Sequence, residues 1–567
     1  MNVPDFPSLW NLVANPVFRR HAVSRLRPWR FVVWLIVTQV ITGFVWSVSV
    51  LVYLQVACEG RVEMDLRSAA FKRLLEEHGT NAFLSGWFSV LIIQGILVVL
   101  KGTFSVATGV AREANEGMID SERLSPLSTG HKVIGQLLGL PLLENVLALL
   151  LIPWAAASAW YGGLSPAMMG KVYLIFATSA LLHHAVGLVA GTLIKQKILA
   201  GTISQVIVIL MHFILPFSGG FGIGLISHLG MESAILYEII TATPQVLEPK
   251  GFCPPDLIPP PVDFFRWEIA VSGYHWIITV TGLAAMLTML VRRWNDQDSQ
   301  LLGKIGTALL AAWMLVLTCG ELIPGFSRGH GLYDLIDIGN PRLAMSRALS
   351  NGIPAAGVMW IAGFAFVLGL INLLLTSTLV PTPEARARCR HLVRAPWWND
   401  GRSSLPWVVL LSMLAAVAWS VVVRTFIQKT PALQTIEFEL PEMLWVTVSL
   451  VVPALAAHAL VLWRGWKVAL FAGFSLWVVP IMIAVVGVLM SAPRDGWPIW
   501  VAGMSGLVMP AYASFGEVVG LSMTSFRGVF QASLVLHTIA GVVFLLKARH
   551  RRPVPPPLVA TAADPVL

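Results

Sequence analysis

The chain has 567 residues, 56% of them hydrophobic and only 12% charged, with a formal net charge of +9. That is about half the charge of a soluble domain, so the composition excludes a water-soluble globular protein and predicts an all-α polytopic membrane protein. The positive balance matches the tendency of cytoplasmic loops to collect Lys and Arg and gives no ground for a nucleic-acid partner.

Five arginines precede Phe31, and the apolar run that follows extends to about Val56. That is too long for the apolar core of a cleavable signal, so it reads as a first span. Runs long enough to cross a bilayer follow near 83–110, 137–160, 172–193, 200–217 and 268–291. A second set lies near 305–325, 352–380, 405–423, 442–462, 468–490 and 528–546. A further run, 499–521, is interrupted by Gly503, Gly506, Pro510, Gly516, Glu517 and Gly520 and makes a poor continuous helix.

Charge sets the direction. With the N-terminus inside and 499–521 not crossing, the inner segments hold 24 of the 39 Lys and Arg residues. Counting 499–521 as a crossing would carry Lys547, Arg549, Arg551 and Arg552 to the outside. The expectation is therefore twelve spans, both termini cytoplasmic, with re-entrant outer segments before spans six and twelve, the second being 499–521. Trp29, Trp294, Trp397, Trp398, Trp463, Trp466, Trp497 and Trp500 all fall at span ends, as amphipathic rings do in the headgroup zone.

The two halves share a layout. Each has a longer outer loop after its first span and a charged inner loop after its second, 111–136 and 379–403. Each has a short basic turn between its fourth and fifth spans, at 194–201 and 463–470. Each has a Gly- and Pro-rich outer stretch before its sixth, 217–266 and 491–527. This predicts an interfacial helix over 1–30, six-span bundles of like orientation over 31–300 and 301–552, and a disordered Pro-rich tail over 553–567.

The loop VAREANEGMIDSERLSPLSTGHK, Val110–Lys132, concentrates charge between two apolar spans. Glu113, Glu116 and Asp120 stand at i, i+3 and i+7, which predicts one acidic face on a helix continuing inward from the second span. Arg112 and Arg123 flank that face, and Pro126 and Gly130 turn the chain back. A solvated loop is the alternative for such charges.

The order Arg112-Glu113, Glu116-Gly117-Met118-Ile119-Asp120, then Leu124-Ser125-Pro126, resembles the inner-loop signature of membrane subunits of ATP-binding-cassette exporters of the second type, the type V exporter fold. Met118 stands where that signature has Thr, and Asp120 where it has Glu. The resemblance covers about residues 15–295. It implies that NPVFRRHAVSRLR is a connecting helix at the interface, its basic residues at the headgroups and Val17, Phe18, Val23 and Leu26 toward lipid. It implies an exporter subunit in the plasma (inner) membrane whose residues Arg112, Glu113, Glu116, Gly117, Asp120, Arg123 and Pro126 engage an ATPase. The second loop, TPEARARCRHLVRAPWWNDGR, keeps the layout and lacks the acidic signature.

The chain has no G-x-x-x-x-G-K-[ST] motif, so the ATPase is expected on a separate polypeptide. The other expected contacts are membrane lipid and a second copy of the chain. No cofactor is expected, and Cys58, Cys253, Cys319 and Cys389 have no metal or redox spacing. Ionisable residues at membrane depth are Lys101, Glu144, His183, His184, His212, His458, Glu517 and His537. Lys101 and Glu144 could pair across adjacent spans, and the histidines either bond between helices or serve a proton relay. An ion-coupled carrier and a non-transporting scaffold derived from an exporter are the alternatives.

Overall fold

The structure is a computed structural model. It describes residues 15–57, 69–194, 196–214, 216, 224–242, 261–297, 299–328, 355–390, 396–429, 440–465, 474–483, 501–510, 513 and 523–550. The chain divides into two compact units. One comprises Met1–Gly219 and Gly224–Gln297, the other Gly220–Ile223 and Asp298–Leu567.

The first unit opens with α1 (Pro16–Arg25), capped by Asn15, whose side chain accepts from the Val17 amide. The long apolar α2 (Pro28–Ala57) follows. Next come α3 (Ala69–Gly95), a π-helical segment at Ile96–Gly102, and α4 (Thr103–Asn115). The amphipathic hook consists of α5 (Met118–Leu124) and α6 (Thr129–Gly139). The third span is broken into α7 (Leu142–Leu149) and α8 (Ile152–Tyr161), with Pro153 in the first turn of α8. Then come α9 (Pro166–Leu193), α10 (Lys197–Ile209) with a π-helical end at Leu210–Ile214, and α11 (Glu232–Ala242). A two-stranded antiparallel hairpin, β1 (Val262–Phe264) and β2 (Trp267–Ile269), pairs Val262 with Ile269 and leads into α12 (Val271–Asn295).

Small residues set the spacing in this unit. A methyl added to Gly187 or Gly191 of α9 would stand 2.7 Å from the Thr103 or Ala107 carbonyl oxygen of α4. In lipid, where burial gives helices no drive to associate, such close backbone approach is what holds them together.

The second unit contains α13 (Gly303–Arg328), α14 (Ala355–Thr378), α15 (Pro383–Arg390), α16 (Leu405–Lys429), α17 (Leu440–Arg464), a π-helical turn at Phe474–Val478, and α18 (Met523–His550). Its core stacks Phe364 on Trp419 with ring centroids 5.6 Å apart.

Among the described residues, nine helical stretches are long and apolar enough to cross a membrane, and Lys197–Phe213 and Gly363–Thr378 are shorter apolar helices. On α2, Val33, Ile36, Val40 and Phe44 are exposed, as suits a lipid-facing surface. The chain is thus a predominantly α-helical, multi-pass membrane protein. Most of 484–522, including Glu517 and most of the run at 499–521, lies outside the described residues.

Candidate coupling site

The charged loop of the first unit does not form the single helix expected from its spacing. Helix α4 ends at Asn115, and Gly117 adopts a left-handed φ of 71° with open space around its α-carbon. Glycine takes this conformation without the steric cost other residues would meet. The break resets the helical phase, so Glu113, Glu116 and Asp120 do not share a face. Glu116 and Asp120 point outward. Glu113 turns inward and is 2% exposed.

Inside, Glu113 meets a second carboxylate, Glu122, and both are bound by the same two side chains. Arg20 Nη2 of α1 lies 3.0 Å from Glu113 and 2.7 Å from Glu122. Gln136 Nε2 of α6 donates to Glu113 at 2.7 Å and to Glu122 at 3.2 Å. Gln136 is wholly buried, and its carbonyl oxygen accepts from His21 Nε2 at 3.0 Å. Arg20 Nη2 lies 3.3 Å from the same ring nitrogen. Burial, reinforced by the neighbouring Arg20 guanidinium, pushes His21 down to about 4, so it is neutral near pH 7.

Helix α1 lies in a groove of α6 made by two glycines. A methyl on Gly135 would stand 2.8 Å from Val17 Cβ, and one on Gly139 would stand 2.9 Å from His21 Cβ. Asn15 Nδ2 completes the seam by donating to the His131 carbonyl at 2.6 Å. Val17 therefore faces α6 and is buried, which corrects its expected lipid orientation; Val23 is exposed.

The rest of the hook is tied down by backbone carbonyls. Arg123 donates from Nε to the Trp294 carbonyl and from Nη2 to the Arg293 carbonyl, both at 3.1 Å, and also binds Asp120. Lys132 Nζ donates to the Ser125 carbonyl at 3.1 Å, and Thr129 Oγ1 bonds to Asn295. The hook is thus fastened to α1 beneath and to the end of α12 beside it. Its outer surface carries Arg112 and Glu116, 3.9 Å apart and both exposed, then Asp120, Pro126, and Leu124 at 89% exposure.

Of the ionisable residues that the sequence puts at membrane depth, Lys101 and Glu144 have partners other than each other, and the histidines bond to neighbouring elements. Lys101 does not pair with Glu144: its ammonium lies 3.8 Å from the Trp34 ring centroid. Glu144 is buried and accepts from Ser105 Oγ at 2.8 Å. His184 Nε2 donates to the Val98 carbonyl at 2.9 Å. His183 meets His212, with their Nε2 atoms 3.1 Å apart, and His212 Nδ1 bonds to Glu232. In the second unit, His458 Nδ1 lies 3.4 Å from the Thr376 carbonyl. His537 donates from Nδ1 to the Ser533 carbonyl and accepts from Trp477 Nε1 at 3.0 Å. Among the described residues no group of three His, Cys, Asp or Glu side chains is placed to hold a metal ion.

Sequence reasoning did not find Arg20, His21, Glu122 or Gln136. The available signal was a polar residue, Gln136, on the apolar side of an amphipathic helix entering a span. Comparison with known proteins finds no match to a family model, to a curated protein or to a solved structure.

Proposed function

We propose that this chain is the membrane subunit of an ATP-driven exporter and that the hook over 111–136 receives motion from a separate ATPase. In this reading the chain carries twelve spans in two six-span halves, with both termini cytoplasmic and the hook on the cytoplasmic face. It supplies no nucleotide site itself.

The observation that carries the reading is the two-sided build of the hook. Its exposed side offers Arg112, Glu116 and Asp120 around the protruding Leu124. Its hidden side is locked by Glu113, Glu122, Gln136 and Arg20. Exposed charges give a partner orientation and fast association. A locked underside transmits a push, where a loose loop would absorb it. Helix α4 continues through the π segment into α3, so a displacement at Asn115 reaches the spans directly.

The test is co-purification and coupled turnover. Replacing Glu116 and Asp120 together is expected to weaken recovery of the ATPase, or to separate hydrolysis from transport, while insertion and folding persist. Full ATPase binding and full transport in that double variant would reduce these charges to a solvated face. Transport by the purified chain alone under an imposed pH gradient would favour an ion-coupled carrier.

A further inference from the structure

We propose that Glu232, His212 and His183 form a proton-binding site within the first unit, holding one exchangeable proton that ties α9, the end of α10 and α11 together. It stands apart from the hook and does not depend on the exporter reading.

Proton counting leads to it. The three side chains form a row ending on a backbone carbonyl: Glu232 to His212 Nδ1, His212 Nε2 to His183 Nε2, and His183 Nδ1 to the Ser179 carbonyl. The two rings lie 23° from parallel with centroids 4.8 Å apart, offset so that their Nε2 atoms approach to 3.1 Å. Each contact in the row needs one hydrogen. A carbonyl only accepts, so His183 Nδ1 carries a proton. Two neutral imidazoles bring two hydrogens to three contacts. The third must be taken from solvent. It resides on the Glu232 carboxyl, or it makes one ring an imidazolium opposite the carboxylate. The row is neutral overall in either form. Without that proton, one contact sets lone pair against lone pair and opens.

The neighbouring ionisable groups have partners of their own, and the His228 ring meets Tyr274 edge-on with centroids 5.3 Å apart. His184, beside His183 on α9, donates to the Val98 carbonyl. His275 of α12 donates from Nδ1 to the His228 carbonyl at 2.8 Å, and its Nε2 lies 2.9 Å from Ser179 Oγ and 3.2 Å from Thr279 Oγ1. With its Nδ1 hydrogen on that carbonyl and its Nε2 accepting from the hydroxyls, His275 is a neutral ring. Lys101 lies over Trp34, and Lys171 pairs with Glu238 at 3.1 Å. Proton exchange with water is available through Glu232, whose side chain is 47% exposed, whereas His212 is 8% exposed.

The experiment uses the full-length chain in nanodiscs. Nitrogen NMR on histidine-labelled protein is expected to show a scalar coupling between the His183 and His212 Nε2 atoms across a shared hydrogen at low pH. That coupling is lost on raising pH; His212→Phe assigns it. Thermal unfolding gives the second readout. The folded wild-type row holds one proton more than the folded Glu232→Gln row, so relative to that variant the wild type is stabilised at low pH and loses that advantage as pH rises. The wild-type midpoint is expected to fall by about 2 °C or more between about pH 5 and pH 9 relative to Glu232→Gln. The Gln amide donates its own hydrogen to His212 and so supplies the third bond permanently. Acid loss from His21 is common to both proteins and cancels in the comparison. Parallel curves for the two proteins, or no coupling at any pH, would overturn the proposal. Should Glu232→Gln fail to fold, the wild-type coupling decides it.

Discussion

Each unit carries a charged loop after a long apolar helix, and the two loops are fastened by opposite chemistry. In the first, two buried carboxylates, Glu113 and Glu122, are gathered by Gln136 and Arg20. In the second, a buried cation does the gathering. Lys304 Nζ, on α13, donates to the carbonyls of Asn399 at 2.7 Å, Arg402 at 3.1 Å, Ser403 at 3.3 Å and Trp397 at 3.4 Å. Trp397 stacks on Trp407 of α16 with centroids 4.5 Å apart, and Gln300 bonds to Leu379, Asp400 and Ser404. The difference teaches that a shared layout need not imply a shared latch. A carboxylate latch needs matched side chains from α1, α4, α5 and α6, and loss of any one strands charge. A lysine reading backbone carbonyls needs only the loop's path, which leaves the loop sequence free to change. The basic second loop is compatible with its own anchor and would not be with the first.

The largest effect should separate the two latches. Gln136→Leu takes a donor from two buried carboxylates while Arg20 stays, and its cost is expected at about 3 kcal/mol or more, because a charged group left short of a donor costs more than a neutral one. Lys304→Met removes charge and leaves only backbone carbonyls short of a donor, at about 1–3 kcal/mol. Chemical unfolding of the two variants in one detergent checks the order; an equal or larger loss from Lys304→Met breaks the comparison.

Acid should also distinguish them through His21. Its folded-state pKa is lowered to about 4 from 6.5, so the unfolded chain takes up a proton first as pH falls. The neutral-pH stability is therefore lost progressively from pH 6.5 down to about 4, by up to ~3 kcal/mol. His21→Gln should flatten that part of the curve; an unchanged acid limb would show that His21 is not buried neutral.

Gly139→Ala is expected to cost about 1–3 kcal/mol, because the new methyl meets His21 Cβ and α1 must shift. Proteolysis after Arg19 or Arg25 should quicken in that variant. The smallest effect belongs to the exposed charges. Glu116→Ala and its second-loop counterpart Glu384→Ala are each expected to change stability by no more than about 1 kcal/mol. ATPase recovery should fall only for the first. Equal falls for both would mean that the two loops engage a partner alike.

Long apolar helices were legible from composition and run length, because a bilayer demands them. The charged hook was legible as a break in that pattern. Its internal wiring was not. Glu113 and Glu116 look alike in sequence, and their opposite fates depend on Gly117 resetting the helix and on Arg20, which lies 93 residues from Glu113. The Lys101–Glu144 pairing failed for a related reason. Adjacent spans offer several partners, and Trp34 and Ser105 are nearer than each residue's opposite charge. Lys304 was counted only as one more positive charge on an inner segment, although it is 1% exposed and organises the loop.

The π-helical segment at Ile96–Gly102 has a consequence for evolution as well as for mechanics. A π turn houses an additional residue within an otherwise regular helix, and each residue of an α-helix advances its bearing by about 100°. The stretch Leu75–Asn115 runs 41 residues, or about 60 Å, against a hydrocarbon slab of about 30 Å. Ile96–Gly102 thus acts as a vernier between two lengths of one shaft. It lets the length before it keep its bearing on α8 while the length after it aims Glu113 at Gln136. A lineage that lost one codon here would keep every residue of the latch and every residue of the span, yet no longer point both at their partners.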